Sequence, residues 1–249
     1  EVAKEMLKWG FKRGVYNPCL YYHPKLKLRT MVHGDDFVSA GSREAADVFR
    51  RMLEGRFEIK TQLIGSAGGE EKREGRVLNR VVRITEEGWE YEADQRHADL
   101  IIEELGLKEA KAAATPSEEE KKWEREDNEE RLEGRQATKY RGIAARANYL
   151  SMDRPDLMYS VKEICRDMAA PTVGSWKKLK RLGRYLVGHP RAVLRYEWQG
   201  CEEEVDGFSD SDWAGCRKTA KSTSGGAIMN GSHFLKGWSR TQQSVTLSS

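Results

Sequence analysis

Between residues 117 and 134 the chain carries nine acidic and four basic side chains, and its only large apolar residues there are Trp123 and Leu132. Such a stretch has no hydrophobic face to bury. The first domain boundary is placed there, and 115-139 is expected to be a charged linker, either solvated or an exposed helix. The 249 residues are enough for one large or two small domains, and 38% hydrophobic content is adequate to fill them.

Helix and strand patterns alternate along the rest of the chain. Residues 2–9 read as a helix tail, followed by a turn at Asn17-Pro18. Two apolar runs, 20–22 and 28–32, then flank His23-Pro24 as a hairpin. Ser42 is placed to cap a helix whose Ala45, Val48, Phe49, Met52 and Leu53 share one face. A strand over 57–63, a glycine-containing loop over 65–69 and a strand or strand pair over 76–91 are expected next. Asp94 then caps a helix that turns Ala98, Ile101, Ile102 and Leu105 inward and stops at Gly106.

Beyond the charged stretch two packed helices are expected. Leu157, Val161, Ile164, Cys165 and Met168 follow Pro155, and Trp176, Leu179, Leu182 and Leu186 follow Ser175, with Gly188 and Pro190 as the stop. Short strands over 205–208, 225–229 and 233–238 close the chain, with Asn230-Gly231 as a hairpin turn. The fold class is α+β with antiparallel connections. Glu1 in place of an initiating Met reads as a cut, and the last strands read as the front half of a domain.

Several functions are argued against. No apolar run nears the roughly 20 residues of a membrane-spanning helix, and the first residues lack the layout of a secretory signal. No membrane partner and an intracellular location follow. Cys19, Cys165, Cys201 and Cys216 form no C-x-x-C pair and have no histidine at zinc-ligand spacing, so they read as reduced thiols. Ser244, Ser248 and Ser249 lack the His and Asp partners of a nucleophile, and no phosphate-cradling G-x-x-x-x-G-K-[ST] loop occurs. His97 reads as a surface helix residue and His189 as a loop residue. The net charge of +3 decides nothing by itself.

Three constellations can carry chemistry. His33-Gly34-Asp35-Asp36 sets two adjacent carboxylates after an apolar strand, with Gly34 allowing a tight turn. They either hold a cation, for which magnesium is the natural choice, or form a plain Asp-Asp turn. From Trp176 to Tyr196 there are seven bases and no acid: Lys177, Lys178, Lys180, Arg181, Arg184, Arg191 and Arg195. That pattern is either a phosphate-tracking surface or the soluble face of a helix. In Phe208-Ser209-Asp210-Ser211-Asp212-Trp213, Asp210 is either a strand-borne metal ligand or an Asx-turn residue.

Collinear landmarks settle the context. Gly10-Phe11, Asn17-Pro18-Cys19-Leu20-Tyr21, the Asp35-Asp36 hairpin, Thr115-Pro116, Tyr140-Arg141-Gly142, Arg154-Pro155-Asp156, the 180–186 run and Lys221-Ser222-Thr223-Ser224-Gly225 follow one another in order. Over nearly its whole length the chain resembles the Pol polyprotein of copia-type retrotransposons, late reverse transcriptase followed by the start of ribonuclease H. His33 stands where that family has an aromatic residue, and Leu78-Asn79 stands where it has Leu-Gly.

The resemblance implies a remnant of the polymerase palm over 1-114, a helical thumb and connection over 140-200, and the N-terminal strands of a ribonuclease H-like α/β domain over 201-249. It implies Asp35 and Asp36 as the palm's Mg2+ ligands, Asp210 as the first metal-binding aspartate of ribonuclease H, and the seven bases as contacts to nucleic acid. RNA template, an RNA/DNA hybrid and the missing parts of the polyprotein are the partners it implies. Its location would be cytoplasmic, in a virus-like particle, with nuclear access. The family's remaining catalytic carboxylates would fall outside residues 1–249, so no polymerase or ribonuclease activity is expected of this chain alone. A noncatalytic nucleic-acid-binding module and a degenerate remnant are the rival functions.

Overall fold

The computed structural model describes residues 1–118, 130–200, 203–216 and 219–245. The chain divides into two compact units, residues 1–63 with 68–72, and residues 64–67 with 73–249. Among the described residues it is a mixed α and β protein with six α-helices and three antiparallel sheets.

In the first unit, helices α1 (Val2–Lys8) and α2 (Arg43–Glu54) pack on a four-stranded sheet. Its strands are β1 (Lys12–Arg13), β2 (Leu20–His23), β3 (Leu28–His33) and β4 (Asp36–Ala40), in sequential order. Strand side chains alternate between faces, so Tyr21, Leu28, Val32 and Phe37 meet Met6, Ala45, Phe49 and Leu53 in one core. Ser42 caps α2 as expected, its side chain accepting from the Ala45 N–H. The strand expected over 57–63 is absent. That segment runs outside the strands because Phe57 and Ile59 are drawn onto the α2 core rather than into a ladder.

The second unit centres on four helices: α3 (Arg96–Glu104), α4 (Gly134–Ser151), α5 (Met158–Arg166) and α6 (Val173–Gly188). Ile101, Tyr140, Ile143, Ala144, Ala147, Leu150, Leu157, Val161, Ile164, Leu179, Leu182 and Leu186 form its core. The buried Tyr140 hydroxyl donates to the Ile164 carbonyl at 2.6 Å, which removes the cost of an unpaired polar group there. A second sheet joins β5 (Glu74–Val77), β6 (Arg80–Ile84), β7 (Gly88–Glu92) and β8 (Val193–Glu197) in that order. The β5–β6 hairpin turns through Leu78 and Asn79, both at positive φ (48° and 68°). This is the backbone of a type I′ turn. Asn79 suits it, and the strained residue is Leu78.

The third sheet is an antiparallel meander of β9 (Asp206–Ser211), β10 (Thr223–Asn230) and β11 (His233–Thr241), with β10 in the middle. It is tied to β8 by the Tyr196 hydroxyl, which donates to the Phe234 carbonyl at 3.1 Å. No helix among the described residues is long and apolar enough to cross a membrane.

Candidate functional site

Asp35 and Asp36 lie where β3 turns into β4. His33 pairs with Asp36 across a two-residue loop of Gly34 and Asp35. Gly34 has φ +60°, the first position of a type II′ hairpin turn, and a side chain there would be strained even though the space around it is open. Both aspartates are exposed. Asp36 shares its face with Met31, Val38, Leu20 and Tyr22, which is the face opposite α1 and α2. Among the described residues no three His, Cys, Asp or Glu side chains gather to hold a metal ion. The pair itself fits magnesium, which takes one or two carboxylates and keeps its other positions for water and phosphate oxygens.

The basic run is divided by the second unit. Lys177, Lys180, Arg181 and Arg184 fall at i, i+3, i+4 and i+7 on the outward side of α6, away from buried Leu179, Leu182 and Leu186. Arg181 donates to the Thr115 carbonyl and hydroxyl at 3.0 and 2.9 Å and pairs with Glu118 at 2.8 Å. Arg184 donates to the Lys111 carbonyl at 2.8 Å. Arg191 grips the Glu92 carboxylate with two bonds of 2.6 and 2.9 Å, and Arg195 of β8 lies 3.5 Å from Glu90. These four arginines fasten α6 and β8 to the rest of their unit, while Lys177, Lys178 and Lys180 are exposed.

Asp210 is exposed on β9, where its Oδ1 accepts from the Ser211 N–H at 2.8 Å. It lines an open cleft of about 420 Å³ together with Tyr159 of α5, Asp212 and Trp238. Asp212 does structural work as well, since its Oδ1 accepts from the Thr223 N–H at 2.6 Å and so pins the start of β10. Tyr159 and Trp238 were not singled out in the sequence as partners of Asp210, since only the packing of α5 against β11 brings the walls of the cleft together. Cys216 is a free thiol nearby in sequence. Burial alone would raise its pKa, but hydrogen bonds from Thr219 and from the Arg166 guanidinium, 2.6 Å from Sγ, bring it down to about 7. Cys19 and Cys165 are also free, and Cys201, Ser248 and Ser249 lie outside the described residues.

His97 lies on α3 as expected, but it is half-buried there. Its ring lies 4.7 Å from that of Tyr149, and its Nδ1 is buried without a hydrogen-bond partner. Burial holds its pKa below the ordinary value; Asp94 opposes this, while Arg146, Arg96 and Arg80 reinforce it. The folded chain therefore keeps His97 neutral at a pH where the unfolded chain, with a pKa of about 6.5, takes up a proton. The resulting stability is complete above that pH and is lost as pH falls toward the folded value. Melting temperatures between pH 7.5 and 5.5 should fall less steeply in His97→Phe than in the native chain. Equal slopes would discount this effect.

Comparisons with known proteins find relatives over part of the chain. The chain is 38% identical over 112 residues to the retrovirus-related Pol polyprotein from transposon RE2 of Arabidopsis thaliana, a match covering 45% of this chain and 8% of that one. It is 36% identical over 112 residues, with the same two coverages, to the corresponding polyprotein from transposon RE1 of the same plant. An uncharacterized mitochondrial protein of Arabidopsis thaliana is 36% identical over 110 residues, 44% of this chain and 45% of its own. The chain thus spans under a tenth of the transposon polyproteins and under half of the mitochondrial protein. No family model matches it, and no solved structure does. Over just under half of its length the chain is thus similar to retrotransposon Pol polyproteins, consistent with a fragment of a copia-type Pol polyprotein.

Proposed function

We propose that the chain is a section of an RNA-directed DNA polymerase with ribonuclease H. Residues 1–114 are the late part of the palm, 115–139 a charged linker whose last residues, from Gly134, already enter α4, 140–200 the thumb and connection, and 201–249 the opening strands of the ribonuclease H-like domain. The observation that carries this is the Gly34 turn, which sets two exposed carboxylates at the tip of a sheet whose helices cover only the other face. Asp35 and Asp36 are the residues to hold Mg2+ in the intact parent, and Asp210 plays the same part on β9. Bound there, magnesium supplies charge neutralisation for the attacking and leaving oxygens of nucleotidyl transfer. Exposed Lys177, Lys178 and Lys180 neutralise phosphates of the template and hybrid, while Arg181, Arg184, Arg191 and Arg195 chiefly position α6 and β8.

The test is binding of a fluorescent RNA/DNA hybrid, followed by anisotropy, with and without magnesium. Two phosphate contacts, from Lys178 and Lys180, weaken binding roughly tenfold between 50 and 200 mM salt. Replacing both lysines with alanine should flatten that dependence. Magnesium should strengthen binding in the native chain and do so markedly less in the Asp35→Asn, Asp36→Asn double variant, which retains Asp210. Binding that ignores salt, magnesium and both sets of substitutions would refute the assignment.

A further inference from the structure

The helical region and the last sheet meet at the open cleft of about 420 Å³ beside Asp210. One face of α5 makes that meeting, since Tyr159, Lys162 and Arg166 recur on it at helical spacing. The Lys162 ammonium donates to the Thr223 hydroxyl at 2.7 Å, and the Arg166 guanidinium lies 2.6 Å from Cys216 Sγ. Thr223 also gives its N–H to Asp212. The wall formed by α5 is thereby fastened to β10, the strand that pairs with Asp210.

Tyr159 is the part of this wall left open to a ligand. It is 48% exposed and lines the cleft together with Asp210 and Asp212, whereas Phe234 and Trp238 are half-buried in the rest of the lining. The Lys162 side chain is only 13% exposed, pairs with Glu163 at 2.6 Å and stands 4.8 Å from the centre of the Tyr159 ring. It is therefore a positioning residue, holding the ring in place by cation–π attraction. Burial, and after it the Glu163 and Asp212 charges, keep the Tyr159 pKa above its ordinary value, so the ring stays neutral. A neutral aromatic face beside carboxylates suited to magnesium offers a nucleotide two attachments, one for its base and one for its phosphate. Bases inside a duplex are already stacked, so the ring can receive only an unpaired one.

We propose that the cleft takes an unpaired nucleotide of a nucleic-acid strand, its base stacked on Tyr159 and its phosphate drawn to magnesium at Asp210. This rests on the reading of Asp210 as a metal ligand. It extends that reading by bringing α5, from the thumb and connection region, into the same site and by naming a single-stranded segment as what the site receives.

The experiment titrates the full chain into a single-stranded RNA hexanucleotide carrying 2-aminopurine, with and without magnesium, and follows the fluorescence of that base. Stacking on the ring quenches it, so magnesium-dependent quenching is the expected result. Tyr159→Leu should weaken binding roughly tenfold and remove most of the quenching, while Tyr159→Phe, which keeps the ring, should preserve both. Asp210→Asn still accepts from the Ser211 N–H and should remove most of the magnesium dependence. A blunt RNA/DNA hybrid, titrated in parallel, tests the polymerase assignment separately through Lys178 and Lys180. Salt-dependent binding of the hybrid without quenching of the hexanucleotide would overturn this inference and leave that assignment standing. Quenching that is equal in the native and Tyr159→Leu chains, or indifferent to both magnesium and Asp210→Asn, would overturn it as well.

Discussion

Replacing Arg154 with methionine is expected to destabilise the second unit by about 3 kcal/mol, because removing one partner of a buried ion pair strands the groups it served. The Arg154 side chain is only 1% exposed, and its guanidinium holds Asp156 through two bonds of 2.9 and 2.7 Å. It also donates to the carbonyls of His189 at 3.1 Å and Pro190 at 3.4 Å, just past the end of α6. One side chain thus joins the 3-10 turn at Pro155–Leu157 to the exit of α6. Asp156 is 32% exposed and retains water, which places the cost at the lower end of the range for buried pairs. Lysine should restore only part of the loss, because a point charge cannot reproduce the forked geometry. Urea unfolding followed by far-UV circular dichroism measures this, and a loss under about 1 kcal/mol would show that the staple contributes little.

Gly88→Ala should cost a comparable amount by parting two strands. Gly88 opens β7 opposite Glu197 of β8, with φ +155°. A Cβ on it would lie 2.1 Å from the Tyr196 carbonyl oxygen and 2.7 Å from Glu197 Cα. Both obstacles are backbone, so no rotamer change relieves the clash and β8 must move. Overpacking of about 1–3 kcal/mol adds to backbone strain of similar size, giving roughly 3 kcal/mol in all. The shift should also disturb the Trp198 indole, whose Nε1 donates to the Glu86 carbonyl at 3.0 Å beside this corner. Changed tryptophan fluorescence together with a lowered urea midpoint is the expected result; a variant as stable as the native chain would show that the β7–β8 register readily adjusts.

Most of the local structure was legible in the residues. The Ser42 cap, the Gly34 hairpin and the Gly106 stop each depend on groups a few positions apart, so their chemistry is written in the sequence itself; the turn expected at Asn230-Gly231 falls one residue later, on Gly231 and Ser232, because Asn230 still pairs with His233. The helix Gly134–Ser151 was harder to see before Tyr140. Its buried face begins at Ala137 and relies on Ala144 and Ala147, and alanine gives a weak apolar signal. Strand β8 was missed because its pairing partner, β7, lies about 100 residues earlier. The expected strand over 57–63 failed for the converse reason: apolar residues without a partner strand pack on a helix instead.

The candidate sites divide in the same way. By itself the sequence determined that two carboxylates stand together at a glycine turn, that bases cluster around α6, and that Asp210 sits on a strand in a chain ordered like retrotransposon Pol polyproteins. The tertiary structure decided which bases are engaged by partners within the fold, and it showed that Arg154-Pro155-Asp156 is a buried staple. It also decided that Asp210 faces Tyr159 and Trp238 across a cleft. The difference is physical: turns and caps are fixed by neighbours along the chain, whereas burial and ion pairing depend on groups that only long-range packing brings within a few ångströms.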